Sequence, residues 1–583
     1  MESASQSVEV PLESRGRANN RWARTVIVVI LIGIAITLTK IGLDYRRSEF
    51  DRTMAIRYDG DVTHGLRWGQ VANKAHLFLV YDAYLAGKVI FVPNELDYTP
   101  LRITIMSCWA RWVENHYPDN QNWQNNYDFM WPVIGLNTLA EWLSSILVFL
   151  LIRMWVIRSD DANRSPLKEP WPFRGVFRGM IGASFLWFNP CVIWDGTCFP
   201  QWDIWLAPFF LGALLLSCIE WWFAAGVCIA TGAFLKGQIL LVAPIFLVWP
   251  IVQLRWQPLV KFVAGFAFAA AGIALPWMRP DGVMMLWLIL FITAIGITTP
   301  LALRWKLNRF WMIALLLASA GLSWPWHAMW SRWTLLPLMM IGVLGASRFA
   351  PPRIVPHLYA LAIAVAIFLF IPLYGASTAW FEIGFEFGTH KFMNMATRDT
   401  YSLPWALETY FRWPDDPNQL VQIPLWGAME FRGLMFLMYG LCLLLCGIGA
   451  AIHQRRGNPR FLIAFIAPWI CWFVLLTQLN NRYMVWAAAF SALLPAVSWG
   501  MTALGAIVSY IGWMGIAVIL CWDGGDMALA RRVRPLTPHM IWPLLLAAGI
   551  YLWMVIAPRR RQQRLSKSDS TPEDTATCCQ SCS

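Results

Sequence analysis

The stretch "TVIVVILIGIAITLTKIGL", residues 25 to 43, decides the fold. A helix of this length crosses a hydrocarbon core about 30 Å thick. Inside such a core only helices and closed barrels satisfy the backbone's own polar groups. Comparable apolar runs recur at Phe129 to Ile152, Leu259 to Trp277, Met284 to Leu303, Ile354 to Tyr374, Phe431 to Ile452, Phe461 to Leu479 and Ile541 to Ala557. Between Gly179 and Leu254 the apolar character is nearly continuous, interrupted by Asn189-Pro190, Trp202-Asp203, Glu220 and Lys236. That region reads as four packed spans. Counting in this way predicts an all-α, polytopic transmembrane bundle of about 14 to 16 helices. Composition agrees. The chain of 583 residues is 58% hydrophobic and 14% charged, with a mean hydropathy of +0.49, whereas soluble domains carry about a quarter charged residues.

The basic residues set the expected orientation. Arg15, Arg17, Arg21 and Arg24 precede the first run, and further clusters fall at Arg153 to Arg178, Arg255 to Lys261, Arg304 to Arg309, Arg348 to Arg353, Arg455 to Arg460 and Arg559 to Arg564. Cytoplasmic loops collect Lys and Arg, so these segments are expected on the cytoplasmic side. The net charge of +12, from 46 basic and 34 acidic residues, is then a topological signal and calls for no nucleic-acid partner. The first run is too long for a signal peptide and lacks a small-residue cleavage site, so it reads as a retained span. The expected organisation is a cytoplasmic tail (1–24), a transmembrane module (25–300) with an extracytoplasmic loop at 44–128, a second module (301–557) with a loop at 375–430, and a disordered cytoplasmic tail (558–583). Both loops carry aromatics, prolines and mixed charges, which predicts short amphipathic helices on the membrane surface. Most of the twelve cysteines lie in apolar runs and pack there as small hydrophobes. Cys191 and Cys198 are candidates to pair at the end of a hairpin, and the terminal "CCQSCS" reads as solvated tail.

Polar groups beside a membrane are costly to desolvate, so their positions carry information. Four stretches fall on the expected outer side: "YDGDVTHG" (58 to 65), "NELDYTPLR" (94 to 102), "GAFLKGQILLVAP" (232 to 244) and "TQLNNRYMVW" (477 to 486). Each has an ordinary reading. Asp59 and Asp61 suit a solvated loop, and Lys236 and Arg482 suit interfacial anchors that snorkel to water. Lone histidines such as His64, His76 and His390 suit surface hydrogen bonds, and no His or Cys spacing suits a metal. Taken together, a carboxylate and two cations on one leaflet suit a different task. The carboxylate deprotonates a hydroxyl, and the cations hold a phosphate as it leaves.

The order of these motifs resembles the GT-C membrane glycosyltransferases. Within them the chain is most similar to the glucosyltransferases of asparagine-linked glycan assembly that use dolichyl-phosphate-glucose, and to their bacterial relatives. Their Gly-Asp and following Arg and Trp are matched by Gly60, Asp61, Arg67 and Trp68. An Asp-Tyr-Pro-Pro-Leu segment is matched by Asp97, Tyr98, Thr99, Pro100 and Leu101. "NPCVIWDGTCFPQWD" (189 to 203) is similar to their Asn-Pro and Asp-Gly turn, with Asp195, Gln201 and Asp203. Lys236 and Gln238 resemble a lysine–glutamine turn, and Asn480, Asn481 and Arg482 stand where the family has His-Glu-Arg or His-Glu-Lys. The likeness runs in order over roughly residues 25 to 500. It departs at Thr63, where a second acid is frequent, and at the two asparagines.

The resemblance implies a shared transmembrane module, followed by a more variable set of helices lining a lipid groove. It also implies transfer of a monosaccharide, with inversion, from a polyprenyl-phosphate donor to a glycan, lipid or protein acceptor. In that scheme Asp61 is the general base, Gly60 letting the backbone turn to aim it. Lys236 and Arg482 bind the donor phosphate, and Asp59, Arg67, Trp68, Asp97, Tyr98, Asp195, Gln201, Asp203 and Gln238 support the site or bind the acceptor. Phosphate already leaves well, so the chemistry demands no metal and no cofactor besides the lipid-linked donor. The expected location is the plasma membrane, with an extracytoplasmic active site. The rival classes are a transporter or lipid flippase, which would show inverted repeats and broken helices, and an O-antigen ligase or polymerase-type membrane protein. No internal repeat is evident.

Overall fold

The computed structural model describes residues 12–53, 60–89, 96–118, 127–162, 173, 175–282, 350–373, 375–386, 402–413, 419–423, 427–477, 480–524 and 535–557, with scattered positions at 285–293, 342–345 and 528–533. In the helical stretches 12–21, 23–24, 60–61, 160–162, 369–373 and 519–524 the backbone alone is described. Asp59, Glu95 and the tail 558–583 lie outside the described residues, as do the side chain of Asp61 and most of the run Met284 to Leu303.

The chain is a polytopic, all-α membrane protein. Its helices are α1 (Leu12–Thr53), α2 (Gly60–Lys74), α3 (Val80–Leu85), α4 (Pro100–His116), α5 (Tyr127–Ala162), α6 (Val176–Trp187), α7 (Pro190–Ile193), α8 (Leu206–Cys218), α9 (Trp222–Leu235), α10 (Ile239–Val242), α11 (Ile245–Val252) and α12 (Trp256–Met278). They continue as α13 (Val355–Leu373), α14 (Ala379–Phe381), α15 (Leu403–Phe411), α16 (Phe431–Arg455), α17 (Arg460–Leu475), α18 (Met484–Phe490), α19 (Trp499–Gly524) and α20 (Ile541–Ile556). Among the described residues, 7 helices are long and apolar enough to cross a membrane, and shorter apolar helices accompany them at Asp203–Cys218, Trp222–Leu235, Ile239–Val252, Val355–Phe368 and Arg460–Leu475. The region expected to hold four packed spans therefore holds one long and three short apolar elements.

The two ends of the bundle can be followed through its polar contacts. At one end Arg158 donates to the Cys218 carbonyl (2.9 Å), Arg255 pairs with Glu220 (2.7 Å), and Arg455 and Arg460 donate to the carbonyls of Gln253 (3.2 Å) and Ala557 (3.0 Å). At the other end lie the surface helices α2 to α4. There Arg279, just past α12, pairs with Asp82 of α3 (3.3 Å), and Ser377 donates to the same carboxylate (2.6 Å). Both loops thus fold as short helices over the same end. The second loop adds a hairpin that the sequence pattern did not announce, Leu420–Ile423 against Gly427–Glu430, whose register pairs Leu420 with Glu430. Cys191 and Cys198 are both fully buried, and no disulfide links them.

Small residues set the closest crossings. Where α9 meets α12, a Cβ on Gly226 would strike the Phe262 carbonyl, and one on Gly265 would strike the Phe223 carbonyl. The two glycines let the backbones touch, which is how helices gain contact where lipid removes the hydrophobic drive. Gly69 does the same for α2 against the Met106 carbonyl of α4. Arg46 of α1 forms a buried ion pair with Glu141 of α5. Its Nε donates to Glu141 Oε2 (2.8 Å), its Nη2 to the Trp187 carbonyl (2.8 Å), and its guanidinium lies 3.8 Å from the Trp187 ring centroid.

Gly265 and Gly272 on α12 provide a matched test, because a Cβ on Gly272 meets nothing within 4 Å. Gly265→Val should lower stability by about 1–3 kcal/mol, as overpacked sites do, and broaden the size-exclusion profile in detergent. Gly272→Val should leave both the thermal midpoint and the profile near wild type. Equal behaviour of the two variants would mean that the crossing does not depend on Gly265.

Candidate functional site

The segment 189–203 carries five buried polar residues, Asn189, Asp195, Thr197, Gln201 and Asp203. Asn189 starts it: its side chain accepts from Cys191 N (3.0 Å) and donates to Ser509 Oγ of α19 (3.0 Å), and Pro190 takes the first helical position, where a missing N–H costs nothing. After one turn the helix widens into a π turn, Trp194–Cys198, and the chain doubles back through Phe199-Pro200. Gln201 N then donates to the Asp195 carbonyl (2.9 Å), and Asp203 opens the short 3-10 turn before α8. Asp195, Gln201 and Asp203 are all fully buried.

Two distant cations meet this segment. Lys236 stands where α9 ends, in extended conformation, before the turn through Gly237 and Gln238 into α10. Its Nζ forms a buried ion pair with Asp203 Oδ1. Arg482 sits in a 3-10 turn whose start is capped by Asn480, the side-chain oxygen accepting from Arg482 N (3.2 Å). Arg482 Nε is 3.6 Å from Asp203 Oδ2, and its Nη1 donates to Gln201 Oε1 (3.0 Å). Aromatic rings close the site. Tyr483 and Trp486 lie 4.9 and 5.1 Å from Lys236 Nζ, and Trp486 Nε1 donates to the Asp203 carbonyl (2.6 Å).

The first loop supplies the facing wall. Thr99 is extended and Pro100 begins α4, so Arg102 emerges in its first turn. Its guanidinium carbon lies 3.3 Å from the Tyr98 ring centroid and 4.4 Å from that of Trp202, a doubled cation–π bed. Trp68 of α2 packs edge-on against Tyr98 (4.2 Å) and stacks with His64 (5.9 Å). Burial pushes the Asp97 carboxyl above its ordinary value, opposed by the nearby charges of Arg102 and Lys236. Desolvation likewise lowers Arg102 and raises Tyr98. The second loop covers the turn after Lys236, where Phe385 packs against Phe234 (5.3 Å) and Trp380 stacks on the same ring (5.6 Å).

Of the residues singled out from sequence, Lys236, Arg482, Asp203 and Gln201 come into direct contact. Asp97, Tyr98 and Trp68 line the wall beside them. Asp195 lies within electrostatic reach of Lys236 and of Glu141. Gln238 is half-buried at the start of α10, and Arg67 is exposed on α2. The backbone of Asp61 opens α2, one turn before Gly65, whose Cα faces the Trp202 ring. Sequence reasoning missed Arg102, Trp202, Tyr483 and Trp486 as parts of the site, although all four stand inside the quoted motifs. It also missed Arg46 and Glu141, for which the signal was a carboxylate in the middle of an apolar run. Among the described residues, no group of three or more His, Cys, Asp or Glu is placed to hold a metal ion.

Compared with protein-family models, the chain matches none, and a search of curated proteins finds no match.

Asp97 yields a pH test. Its folded-state pKa is raised, so its ionised form costs stability above that pKa, and the cost disappears as pH falls below the unfolded value. Asp97→Asn should therefore be more stable than wild type near neutral pH, with the two converging in acid. The check is the thermal midpoint of both proteins between about pH 3.5 and 8. A gap that widens in acid would reverse the sign and show that Asp97 is held by its cations.

Proposed function

We propose that the chain is a membrane glycosyltransferase that moves a monosaccharide from a polyprenyl-phosphate donor to an acceptor hydroxyl, with inversion. The observation that carries this reading is the meeting of Lys236 and Arg482, far apart in sequence, on the single carboxylate of Asp203. Two cations converging where one anion already sits leave a positive charge suited to a second anion. The surrounding rings of Tyr483, Trp486, Tyr98 and Trp202 suit a sugar face and keep water out.

In the proposed step the acceptor oxygen attacks the anomeric carbon as the bond to the phosphate oxygen breaks. The bonding pair leaves with the phosphate, and the hydroxyl proton passes to a carboxylate. Lys236 and Arg482 donate charge-assisted hydrogen bonds to the departing phosphate. Asp61 is assigned as the base from its place at the head of α2 and from the resemblance of its motif. Asp97, whose carboxyl burial pushes above its ordinary value, is the next carboxylate in line. Gln201 and Asp203 orient the cations. The donor lipid would enter from the bilayer, and the acceptor from the loop-covered side.

The decisive experiment incubates purified protein with a panel of polyprenyl-phosphate sugars and an acceptor extract, and measures released polyprenyl phosphate. Release is expected from one donor class, and Asp61→Asn should abolish it at normal protein abundance. Lys236→Ala and Arg482→Ala should each weaken donor binding by about 1.5–3 kcal/mol, the worth of a hydrogen bond to a charged group. Their double variant should lose less than the sum, since both address one target. Arg482→Lys should rescue in part, keeping the charge without the two-pronged geometry. Full activity in Asp61→Asn together with loss in Asp97→Asn would transfer the base role to Asp97.

A second reading, a flippase of lipid-linked phosphates, is favoured by one feature. The α9–α10–α11 hairpin is broken at Lys236 and again before Pro244, and transporters build their sites from such discontinuous helices. Translocation of a labelled polyprenyl phosphate without its release would select that reading.

The arginine-rich end formed by Arg158, Arg255, Arg455 and Arg460 supports a cytoplasmic face there, with the site opening outside the plasma membrane. A reporter fused after Asp128 should then report the extracytoplasmic side, and one fused after Asn163 the cytoplasm. The opposite pair of signals would put the site on the cytoplasmic face and remove the proposed acceptor route.

A further inference from the structure

A second polar cluster lies deeper in the bundle, between the middle of α5 and the turn Trp194–Cys198. Asn137 and Glu141 stand one helical turn apart on α5 and face Gly196. Asn137 Nδ2 donates to the Gly196 carbonyl (2.6 Å), and the space a Cβ on Gly196 would fill is occupied by Glu141 Oε1. Asp195 and Thr197 flank that glycine in the chain. All four side chains are fully buried.

The hydrogen-bond inventory of this cluster does not close. Arg46 takes Glu141 Oε2. Glu141 Oε1, Asn137 Oδ1, both Asp195 oxygens and Thr197 Oγ1 find no hydrogen-bond partner among the described residues. Carboxylate and amide oxygens only accept, so they cannot satisfy one another, and the one hydroxyl can donate once. The charges do not close either. Arg46 meets Glu141 directly, while Lys236, though within electrostatic reach of Asp195, is ion-paired to Asp203.

We infer that this cluster is a binding site for a small monovalent cation, sodium by its donor chemistry, held by Asp195, Glu141, Asn137 and Thr197. A cation attracts every one of these oxygens at once and neutralises the carboxylate that has no counter-ion in contact. The donors are all oxygen, with no sulfur or nitrogen, which selects hard ions over zinc or copper. A single uncompensated charge selects a monovalent ion over calcium or magnesium. The glycine matters here: any side chain at 196 would displace Glu141 Oε1. The site ties α5 to the base of the segment that carries Gln201 and Asp203, and it stands whether or not the chain transfers sugars.

The test uses the full-length protein in detergent, with unfolding followed by tryptophan fluorescence. Sodium chloride replaces choline chloride at constant ionic strength, with lithium, potassium, calcium and magnesium chlorides run in parallel. The expected result is a saturable rise in thermal midpoint, with sodium acting at the lowest concentration. Asp195→Asn should abolish the ion dependence, and Thr197→Val should raise the half-saturating concentration about ten-fold, as loss of a supporting ligand contact does. If Asp195→Asn does not accumulate, Thr197→Val carries the comparison alone. A midpoint indifferent to the monovalent ion would mean that water fills the cluster and would overturn the inference. An unchanged half-saturation in Thr197→Val, or a response to divalent ions only, would overturn it equally.

Discussion

The grip of Lys236 and Arg482 on Asp203 is the constraint around which the loop-covered end is organised. An isolated carboxylate in so dry a place would be strongly disfavoured. Here it draws one cation from the tip of a helical hairpin and another from a turn late in the chain. Each of those turns exists because a helix stops short. α9 gives way to an extended Lys236, and α17 ends at Leu475, after which the chain returns through the Asn480 cap into α18. Stable backbone was given up at three places so that three charges could meet. Such irregular backbone is tolerated at membrane depth only where protein covers it or water reaches it, and the aromatic rings of Trp472, Tyr483 and Trp486 provide the cover, packing on one another with centroids 4.9 to 5.7 Å apart.

Much of this was legible in the sequence, for identifiable reasons. Transmembrane runs announce themselves by length, so α5, α12, α13, α16 and α20 match the apolar stretches that predict them. Punctuation by Asn-Pro, Lys-Gly and Asn-Asn-Arg marked the breaks that hold the site. Partners were harder to read. Helix α9, "WFAAGVCIATGAFL", is apolar on every face, so no periodicity reveals which side meets α12. That choice is made by Gly226 and Gly265, whose effect appears only once the helices are in contact. The Arg46–Glu141 pair joins residues 95 positions apart, and the cation–π bed of Arg102 needs Trp202 from another segment. The hairpin at 420–430 is too short to show a pattern. α1 extends past its apolar run to Thr53 because its last turns pack against the bundle, with Arg46, Glu49, Phe50 and Thr53 buried.

The two polar clusters divide the labour of a single segment. Residues 189–203 lean on α5 through Asn137 and on α19 through Asn189, and present Gln201 and Asp203 at the other end. Rigid support below and charged groups above is the arrangement expected where side chains must be held to fractions of an ångström. It also couples the clusters electrically, since Asp195 and Asp97 both sense Lys236.

The separation of Gln201 from Arg482, 281 positions along the chain, has a consequence for biosynthesis. At about 5–20 residues per second, the ribosome delivers the arginine on the order of tens of seconds after the turn that awaits it. During that interval the first half sits in the bilayer with Gln201 uncapped and Asp203 neutralised from one side alone. A nascent chain of this kind offers polar, unfinished surface to whatever surveys membrane proteins as they emerge. Completion of the late turn therefore supplies the partner that Gln201 and the second side of Asp203 lack until then.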